Sequence, residues 1–246
     1  MMTKSLKSLL FFIVFSLLLG CASEEKNATT PDGLFNIAKE YDDAERYDVA
    51  LQKYSEVKNK FPYSSFAVQA ELAIADLHYK RESFPESQIA YQNFRDLHPK
   101  HPRIAYVVFR IAMSFYQQLP DSIDRDLALA NDAIYHFNEV IKNYPASEFT
   151  IEAKEKRDKT YVMLSEKELY VADFYLKQEK FESSLIRYEN VLRKYSGYGF
   201  DPKALLGATR AAYKLSQTEK QKKYAQELLS QYAKSNEASL IKSEGL

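Results

Sequence analysis

The stretch AKEYDDAERYDVALQKYSEVKNKF, residues 38–61, contains the spacing that decides the fold. Its small and apolar residues are separated by 3, 6, 3, 4, 3 and 4 positions, and the stretches 75–98 and 172–195 carry the same separations. Steps of three and four follow one face of a helix, whereas the step of six spans a short turn between two helices. The chain therefore repeats a pair of helices. The positions that share the spacing are Ala38, Tyr41, Tyr47, Ala50, Tyr54, Val57 and Phe61, then Ala75, His78, Phe84, Ser87, Tyr91, Phe94 and His98, and finally Ala172, Tyr175, Phe181, Ser184, Tyr188, Val191 and Tyr195.

Small residues and rings take different positions in this repeat. Alanine or serine stands at the first and fourth positions, where paired helices approach, and rings fill the space beyond them. The pattern resembles the tetratricopeptide repeat, without its tryptophan and its first glycine. Pro62, Pro99 and Pro145 follow the first three units, where a proline stops a helix. We therefore predict an all-α fold, a superhelical stack of about five tetratricopeptide-like helix pairs.

Two units depart from the regular spacing. In the third, a loop at residues 119–127 is inserted before the helix that contains Ala130 and Phe137. In the fourth, the first helix can run from Glu148 to Gln178, because these residues include neither glycine nor proline. We assign repeats 1–3 to residues 33–145 and repeats 4–5 to residues 146–235, and we expect residues 236–246 to fray.

The amino terminus has the layout of an export signal. Lys4 and Lys7 precede a mostly apolar run at residues 9–19. This run is shorter than the stretch of about 20 apolar residues that a membrane-spanning helix needs. The run ends at Leu18-Leu19-Gly20-Cys21, which resembles the lipobox of bacterial lipoproteins. The resemblance implies a signal peptide at residues 1–20, a lipidated Cys21 and a flexible tether at residues 21–32. Since no aspartate follows Cys21, it also implies sorting to the outer membrane.

Composition and motifs do not point to catalysis. The 34 basic and 34 acidic residues cancel, so no basic excess indicates nucleic acid. The chain contains no Gly-x-Ser-x-Gly elbow and no glycine-rich phosphate loop. His98 and His101 are close in sequence, but no third ligand is evident for a metal. We predict a protein that is no enzyme and uses no cofactor or metal.

Four local strings resemble the BamD (YfiO) family of outer-membrane β-barrel assembly lipoproteins. This resemblance implies a periplasmic scaffold on the outer membrane that binds a BamA-type barrel, other assembly-complex lipoproteins and unfolded outer-membrane proteins. It also implies that repeats 1–3 form the substrate-side groove and repeats 4–5 the partner side. The strings are Phe61-Pro62-Tyr63, His101-Pro102 with Ile104 and Tyr106-Val107, Asp124-Arg125-Asp126, and Glu168 with Val171-Ala172 and Phe174-Tyr175.

The same resemblance suggests site residues. Arg187 matches a family arginine that contacts the BamA-type partner, and no acid lies three or four residues from it, so we expect it to be free to pair across an interface. The alternative is an arginine that is only solvated. Arg193, by contrast, is expected to pair with Glu189 four residues earlier. Tyr63, Tyr106 and Arg125 are candidates for the substrate groove, although the commoner use of a tyrosine is in the core.

Two other functions compete with this one. A pilotin-like repeat lipoprotein, which carries a secretin or pilus subunit to the outer membrane, would share the regular repeats but not the loop at 119–127 or the long helix from Glu148. An envelope hydrolase or its regulator would need a site that the sequence does not show.

Overall fold

A computed structural model of the protein describes residues 28–246. The predicted signal peptide, Cys21 and the tether up to Asn27 lie outside these residues. Every regular element within residues 28–246 is a helix, which confirms the all-α class. The helices are α1 (Pro31–Asp43), α2 (Tyr47–Lys60), α3 (Ser65–Lys80), α4 (Phe84–Leu97), α5 (Ile104–Gln117), α6 (Ala130–Asn143), α7 (Thr150–Lys177), α8 (Phe181–Lys194), α9 (Asp201–Lys214), α10 (Thr218–Gln231) and α11 (Asn236–Glu244).

The turns within the helix pairs explain the step of six in the sequence. In α3, the amide of Ser83 donates to the carbonyl of His78 and the amide of Glu82 to that of Tyr79, which is the Schellman arrangement at a helix end. Glu82 takes a left-handed φ of 58°. Because α4 starts directly after this turn, at Phe84, the step from the repeat position His78 to the repeat position Phe84 is six positions. The same turn closes α1, α7 and α9, with left-handed residues Glu45, Glu179 and Ser216.

Small residues at the first and fourth repeat positions are buried, as the sequence predicts. Ala38 and Ala50 are both 0% exposed and belong to one core cluster. Where serine replaces alanine at the fourth position, its hydroxyl needs an acceptor in the core. Ser184 Oγ donates to the carbonyl of Ala172, the first position of the same repeat, at 3.0 Å. The helix pair therefore tolerates either residue at this contact.

A buried tyrosine fixes two of the pairs by the same hydrogen bond. Tyr91 donates to Asp76 and Tyr188 donates to Asp173, in both cases across 15 residues and at 2.5 Å. Each aspartate directly follows the alanine at the first repeat position. Burial is the main reason why the pKa values of both tyrosines are raised, and the neighbouring carboxylates add to it. The hydroxyls are therefore neutral donors that join the two helices of a pair.

The described residues form two compact units, one that ends at Val107 and one from Val108 to Leu246. In unit 1, helix α1 begins at Pro31, two residues before the predicted start of the repeats. Proline is favoured in a first turn, and the Thr30 hydroxyl accepts from the Gly33 amide at 3.2 Å. The boundary between the units lies in α5. The division into a substrate side and a partner side at residues 145 and 146 stays a prediction.

In unit 2, two irregular features appear where the sequence predicts them. Residues 118–129 connect α5 to α6 without regular structure, and α7 spans 28 residues, from Thr150 rather than Glu148 to Lys177. Gly207 of α9 lies against Tyr188, and a Cβ added at Gly207 would come within 2.2 Å of the Tyr188 ring. Only glycine leaves room for this ring at its present position.

The prediction that residues 236–246 fray is wrong. Residues Asn236–Glu244 form helix α11, which is capped by Ser235, and Ala238 and Ile241 are fully buried. Both residues belong to the core that α8, α9 and α10 also form. No helix within residues 28–246 is long and apolar enough to cross a membrane.

Candidate protein-binding surfaces

Unit 1 has an open cleft of about 560 Å³ beside α4. Its lining is largely apolar and includes Ile74 of α3 and Phe94 of α4. Two large apolar side chains that line it are exposed, Ile89 by 56% and Leu97 by 66%. Exposed apolar side chains around a cleft mark a surface suited to another protein segment. The sequence analysis did not identify these two residues, because they lie outside the repeated positions.

Three of the six polar residues around this cleft are acidic. Glu71, Glu86 and Asp96 contribute carboxylates, and Lys58 contributes the one lysine among the lining residues. His98 Nε2 donates to Glu71 at 2.7 Å. This hydrogen bond joins the end of α4 to α3. The cleft can therefore accept apolar side chains, with basic groups of a ligand close to its carboxylates.

Tyr106 takes part in a network inside unit 1. Its hydroxyl donates to Asp76 at 2.6 Å, the acceptor that Tyr91 also uses, and the two rings meet edge to face with centroids 6.2 Å apart. The guanidinium of Arg103 lies over the Tyr106 ring, 4.4 Å from its centroid. Tyr106 is half-buried, so the structure gives it a role in packing α5 against α3 and α4.

Tyr63 and Arg125 lie on the surface. Tyr63 stands in the turn between α2 and α3 and is fully exposed, which overturns the alternative that it belongs to the core. It is not among the residues that line the cleft of unit 1. Arg125 is exposed in the loop between α5 and α6, and its carbonyl accepts from Lys167 Nζ of α7 at 3.2 Å. The loop is thus attached to the long helix, and its arginine side chain faces solvent.

Arg187 is paired within the chain, contrary to expectation. Its Nη1 donates to both carboxylate oxygens of Glu168 in α7, at 3.0 and 3.2 Å. The side chain of Arg187 is 41% exposed and that of Glu168 is 17% exposed. The spacing within α8 predicts contacts inside that helix only, whereas the partner of Arg187 lies 19 residues earlier on the paired helix. Arg187 remains accessible to a second acidic group, but it is already oriented by Glu168.

The expected pair of Arg193 and Glu189 is also wrong. Arg193 donates to Asn190 at 2.7 Å, while Glu189 accepts from Lys220 at 2.9 Å and from Tyr224 at 2.6 Å. Burial alone would raise the pKa of Glu189, but these two hydrogen bonds and the lysine charge outweigh it and lower the pKa. Glu189 therefore joins α8 to α10, and its lysine and tyrosine partners come from the next repeat.

Exposed apolar residues also occur along α7 and α8 in unit 2. Tyr170 and Phe174 stand one turn apart on α7 and are 54% and 52% exposed, and Ile186, next to Arg187, is 58% exposed. A second open cleft, of about 490 Å³, has Lys177, Arg210 and Tyr213 among its lining residues. Arg210 pairs there with Glu244 of α11. Unit 2 thus offers apolar and basic side chains to a partner.

Comparisons with known proteins agree with the family resemblance of the sequence. A model of the YfiO family, described as outer membrane lipoprotein, matches residues 27–228. The chain is 24% identical to the outer membrane protein assembly factor BamD of Caulobacter vibrioides over 83% of this chain and 68% of the relative. It is 28% identical to the protein of the same name from Neisseria meningitidis serogroup A, over 66% of this chain and 64% of the relative. The chain therefore spans about two thirds of the length of these two relatives.

A third relative is covered more fully. The BamD protein of Rickettsia prowazekii is 26% identical over 91% of this chain and 89% of the relative.

Among solved structures, the TPR2AB domain of yeast Sti1 in complex with pHSP90 is 10% identical to this chain. The match covers 81% of this chain and 76% of the solved chain, with a TM-score of 0.43. PilF of Pseudomonas aeruginosa is 12% identical, with coverage of 89% and 84% and a TM-score of 0.39.

Proposed function

We infer, because the chain belongs to the YfiO family of outer membrane lipoproteins, that it is a scaffold subunit in the assembly of outer-membrane proteins. The observation that carries this proposal is the family match over residues 27–228, together with relatives named outer membrane protein assembly factor. We propose that the protein catalyses no reaction and needs no cofactor. Its surfaces would act by binding other proteins.

We propose that Cys21 carries the lipid anchor and holds the protein on the periplasmic face of the outer membrane. The basic region, the short apolar run and Leu18-Leu19-Gly20-Cys21 support this part of the proposal. A lipoprotein terminus carries more than one acyl chain, and two or more chains give stable membrane attachment.

Unit 1 would receive unfolded outer-membrane proteins. Its cleft beside α4 supports this assignment, because Ile89 and Leu97 are exposed there and can contact apolar side chains of an unfolded chain. The half-buried Tyr106 would support the helices behind the cleft rather than contact substrate directly. Arg125, which is exposed in its loop, stays a candidate for substrate contact in unit 2.

Unit 2 would bind the periplasmic domain of a BamA-type barrel protein. The pair of Arg187 and Glu168 supports this, because Arg187 is oriented yet 41% exposed and stands beside the exposed Ile186. Arginine is enriched among the residues that dominate binding at protein interfaces. An acidic group of the partner would complete the coordination of the guanidinium.

Reversal of the Arg187 charge tests this interface. We expect Arg187→Glu to raise the Kd for the purified periplasmic domain of a BamA-type protein at least tenfold, about 1.4 kcal/mol, because it would repel the acidic group of the partner. Arg193→Glu is the matched control, since Arg193 lies exposed on the same helix and contacts Asn190. Binding would be measured by calorimetry, and circular dichroism would establish that each variant is folded.

A double variant separates contact from positioning. Glu168→Arg with Arg187→Glu exchanges the two charges and restores an ion pair between α7 and α8. If Arg187 contacts the partner, the double variant should still bind weakly. Binding equal to wild type, either by this double variant or by Arg187→Glu alone, would remove Arg187 from the interface.

A further inference from the structure

Two edges of unit 1 differ in the residues that they expose. The rings of Phe35 and Phe66 lie 5.6 Å apart, so the beginnings of α1 and α3 are side by side. Lys80 Nζ lies 2.7 Å from Asp42 Oδ1, which places the ends of the same helices together at the opposite edge. One edge therefore holds the start of α1 with the turns at residues 61–64 and 98–103, and we name it the tether edge. The opposite edge holds the turns at residues 44–46 and 81–83.

The tether edge presents an aromatic residue and cations. Tyr63 is 102% exposed at the tip of its turn, beside the exposed Pro62. Lys100 and Arg103 are exposed in the neighbouring turn. Two acids near that turn are paired within unit 1: Glu71 accepts from His98 at 2.7 Å, and Asp96 pairs with Arg95 at 3.3 Å. Tyrosine, lysine and arginine are side chains that occur together at membrane–water interfaces.

The opposite edge presents acids and bases side by side. Glu45 and Glu82 are exposed at the tips of its two turns, and Arg46 and Arg81 are exposed next to them. Asp48 is 85% exposed beside Arg81, and Asp43 is 63% exposed beside Lys39. No large apolar side chain is exposed in residues 44–46 or 81–83. The opposite edge therefore lacks the combination of an exposed ring with nearby cations that the tether edge presents, and an anionic headgroup layer would attract Lys100 and Arg103 there.

Chain connectivity favours the same edge. Nine residues lie between Cys21 and the first described turn of α1 at Pro31, and they can span about 30 Å at most. They join unit 1 at the start of α1, on the tether edge. The opposite edge lies farther from the anchor by the length of α1, which is about 20 Å for its 13 residues. A lipid anchor at Cys21 would therefore favour an orientation in which the tether edge is the edge nearest to the bilayer.

We propose that the tether edge of unit 1 is a membrane-contact surface, with the Tyr63 ring at the headgroup level and Lys100 and Arg103 against anionic phospholipids. This inference rests on the lipid anchor at Cys21 in the proposed function. It gives Tyr63 a role that neither the core nor a substrate cleft provides. The occupant is a lipid surface, because the edge combines an exposed interfacial ring with cations and holds the point where the tether joins unit 1.

Thiol reactivity of the lipidated protein tests the proposal. Cys21 is the only cysteine of the chain and would be blocked by its lipid, so a cysteine introduced elsewhere is the single free thiol. Tyr63→Cys and the control Glu82→Cys would be reconstituted in vesicles of phosphatidylethanolamine and phosphatidylglycerol and treated with a membrane-impermeant maleimide. We expect the thiol at position 63 to react at least tenfold more slowly on vesicles than in detergent, and the thiol at position 82 to react at similar rates in both.

Each other outcome is informative. Equal protection or equal reactivity of the two thiols on vesicles would overturn the membrane-contact surface. Protection at position 63 in native outer membranes but not in pure vesicles would also overturn it, in favour of a protein partner. A failure of the proposed anchor is seen separately, because the protein would then not float with the vesicles at all. Exchange of phosphatidylglycerol for a neutral lipid should weaken the protection if Lys100 and Arg103 contact anionic headgroups, and unchanged protection would remove them from the surface.

Discussion

Tyr188 and Gly207 show how one close contact sets the packing between two repeats. Tyr188 is 1% exposed and its hydroxyl is held by Asp173 at 2.5 Å. A Cβ at position 207 would come within 2.2 Å of its ring, so either the ring or α9 would have to move. Movement of the ring would cost the buried hydrogen bond. The glycine is therefore required although it lies inside a helix, where alanine is intrinsically favoured.

The change Gly207→Ala should lower the free energy of unfolding by about 1–3 kcal/mol, because overpacking outweighs the gain in helix propensity. Urea denaturation would measure it. In a Tyr188→Ala background the ring is gone, and the same Gly207→Ala change should be neutral or stabilising. A destabilisation of equal size in both backgrounds would mean that the contact with Tyr188 is not its cause.

The sequence predicted single residues well where their neighbours are local. The buried Ala38, Ala50 and Ala172 follow from the spacing within one helix pair. The ion pair of Arg187 could not be predicted, because its partner Glu168 belongs to another helix and the pairing depends on how α7 and α8 cross. The exposure of Tyr63 was missed for a related reason, since residue type favours burial and only the turn geometry places it outside.

At the scale of an element, the turns within the helix pairs use an unusual residue. Glu45, Glu82 and Glu179 occupy left-handed positions that glycine usually takes at a helix end. A side chain with a Cβ is disfavoured in this conformation. The surrounding Schellman hydrogen bonds hold the turn in spite of this cost. The step of six is therefore set by backbone hydrogen bonds more than by the choice of residue.

Relief of this strain should be measurable. We expect Glu82→Gly to raise the free energy of unfolding by up to about 1 kcal/mol, or to leave it unchanged, because glycine removes the Cβ clash but gains entropy in the unfolded chain. The control Glu40→Gly, on the exposed side of α1, should lower it by about 1 kcal/mol. Thermal and urea unfolding would compare the two. If both glycines destabilise the protein equally, the turn at Glu82 is not strained.

Helix α11 was missed by the sequence analysis because no repeat spacing follows Ser235. Its stability comes from contacts that are remote in the sequence, with the core of α8, α9 and α10. Ile241 is fully buried, whereas the adjacent Leu240 is 45% exposed. A terminal helix of this kind covers the apolar end of a repeat array.

Alanine substitutions at these neighbouring positions test the docking of α11. Ile241→Ala should destabilise unit 2 by about 2–4 kcal/mol, since it removes a fully buried side chain. Leu240→Ala should cost less than about 1 kcal/mol, since much of the side chain is already in water. Chemical denaturation of both variants is the measurement. Equal and small effects would indicate that residues 236–246 do not dock as the structure describes.

In the molecule as a whole, the helix pairs carry candidate binding surfaces of different character. Unit 1 has an apolar cleft with carboxylates around it, and unit 2 has Arg187 and exposed side chains on α7 and α8. The repeat class and its family followed from the sequence, because both depend on local spacing and short strings. The clefts did not, because they depend on exposed residues between the repeated positions.

The most direct test of the central claim is affinity isolation of the full-length protein from membranes of the source bacterium in mild detergent, followed by mass spectrometry. The account predicts that a BamA-type barrel protein dominates the co-isolated proteins and that Cys21→Ala, which removes the proposed anchor, depletes the protein from the membrane fraction. A secretin, a pilus-assembly protein or a cell-wall enzyme in place of the barrel would contradict it.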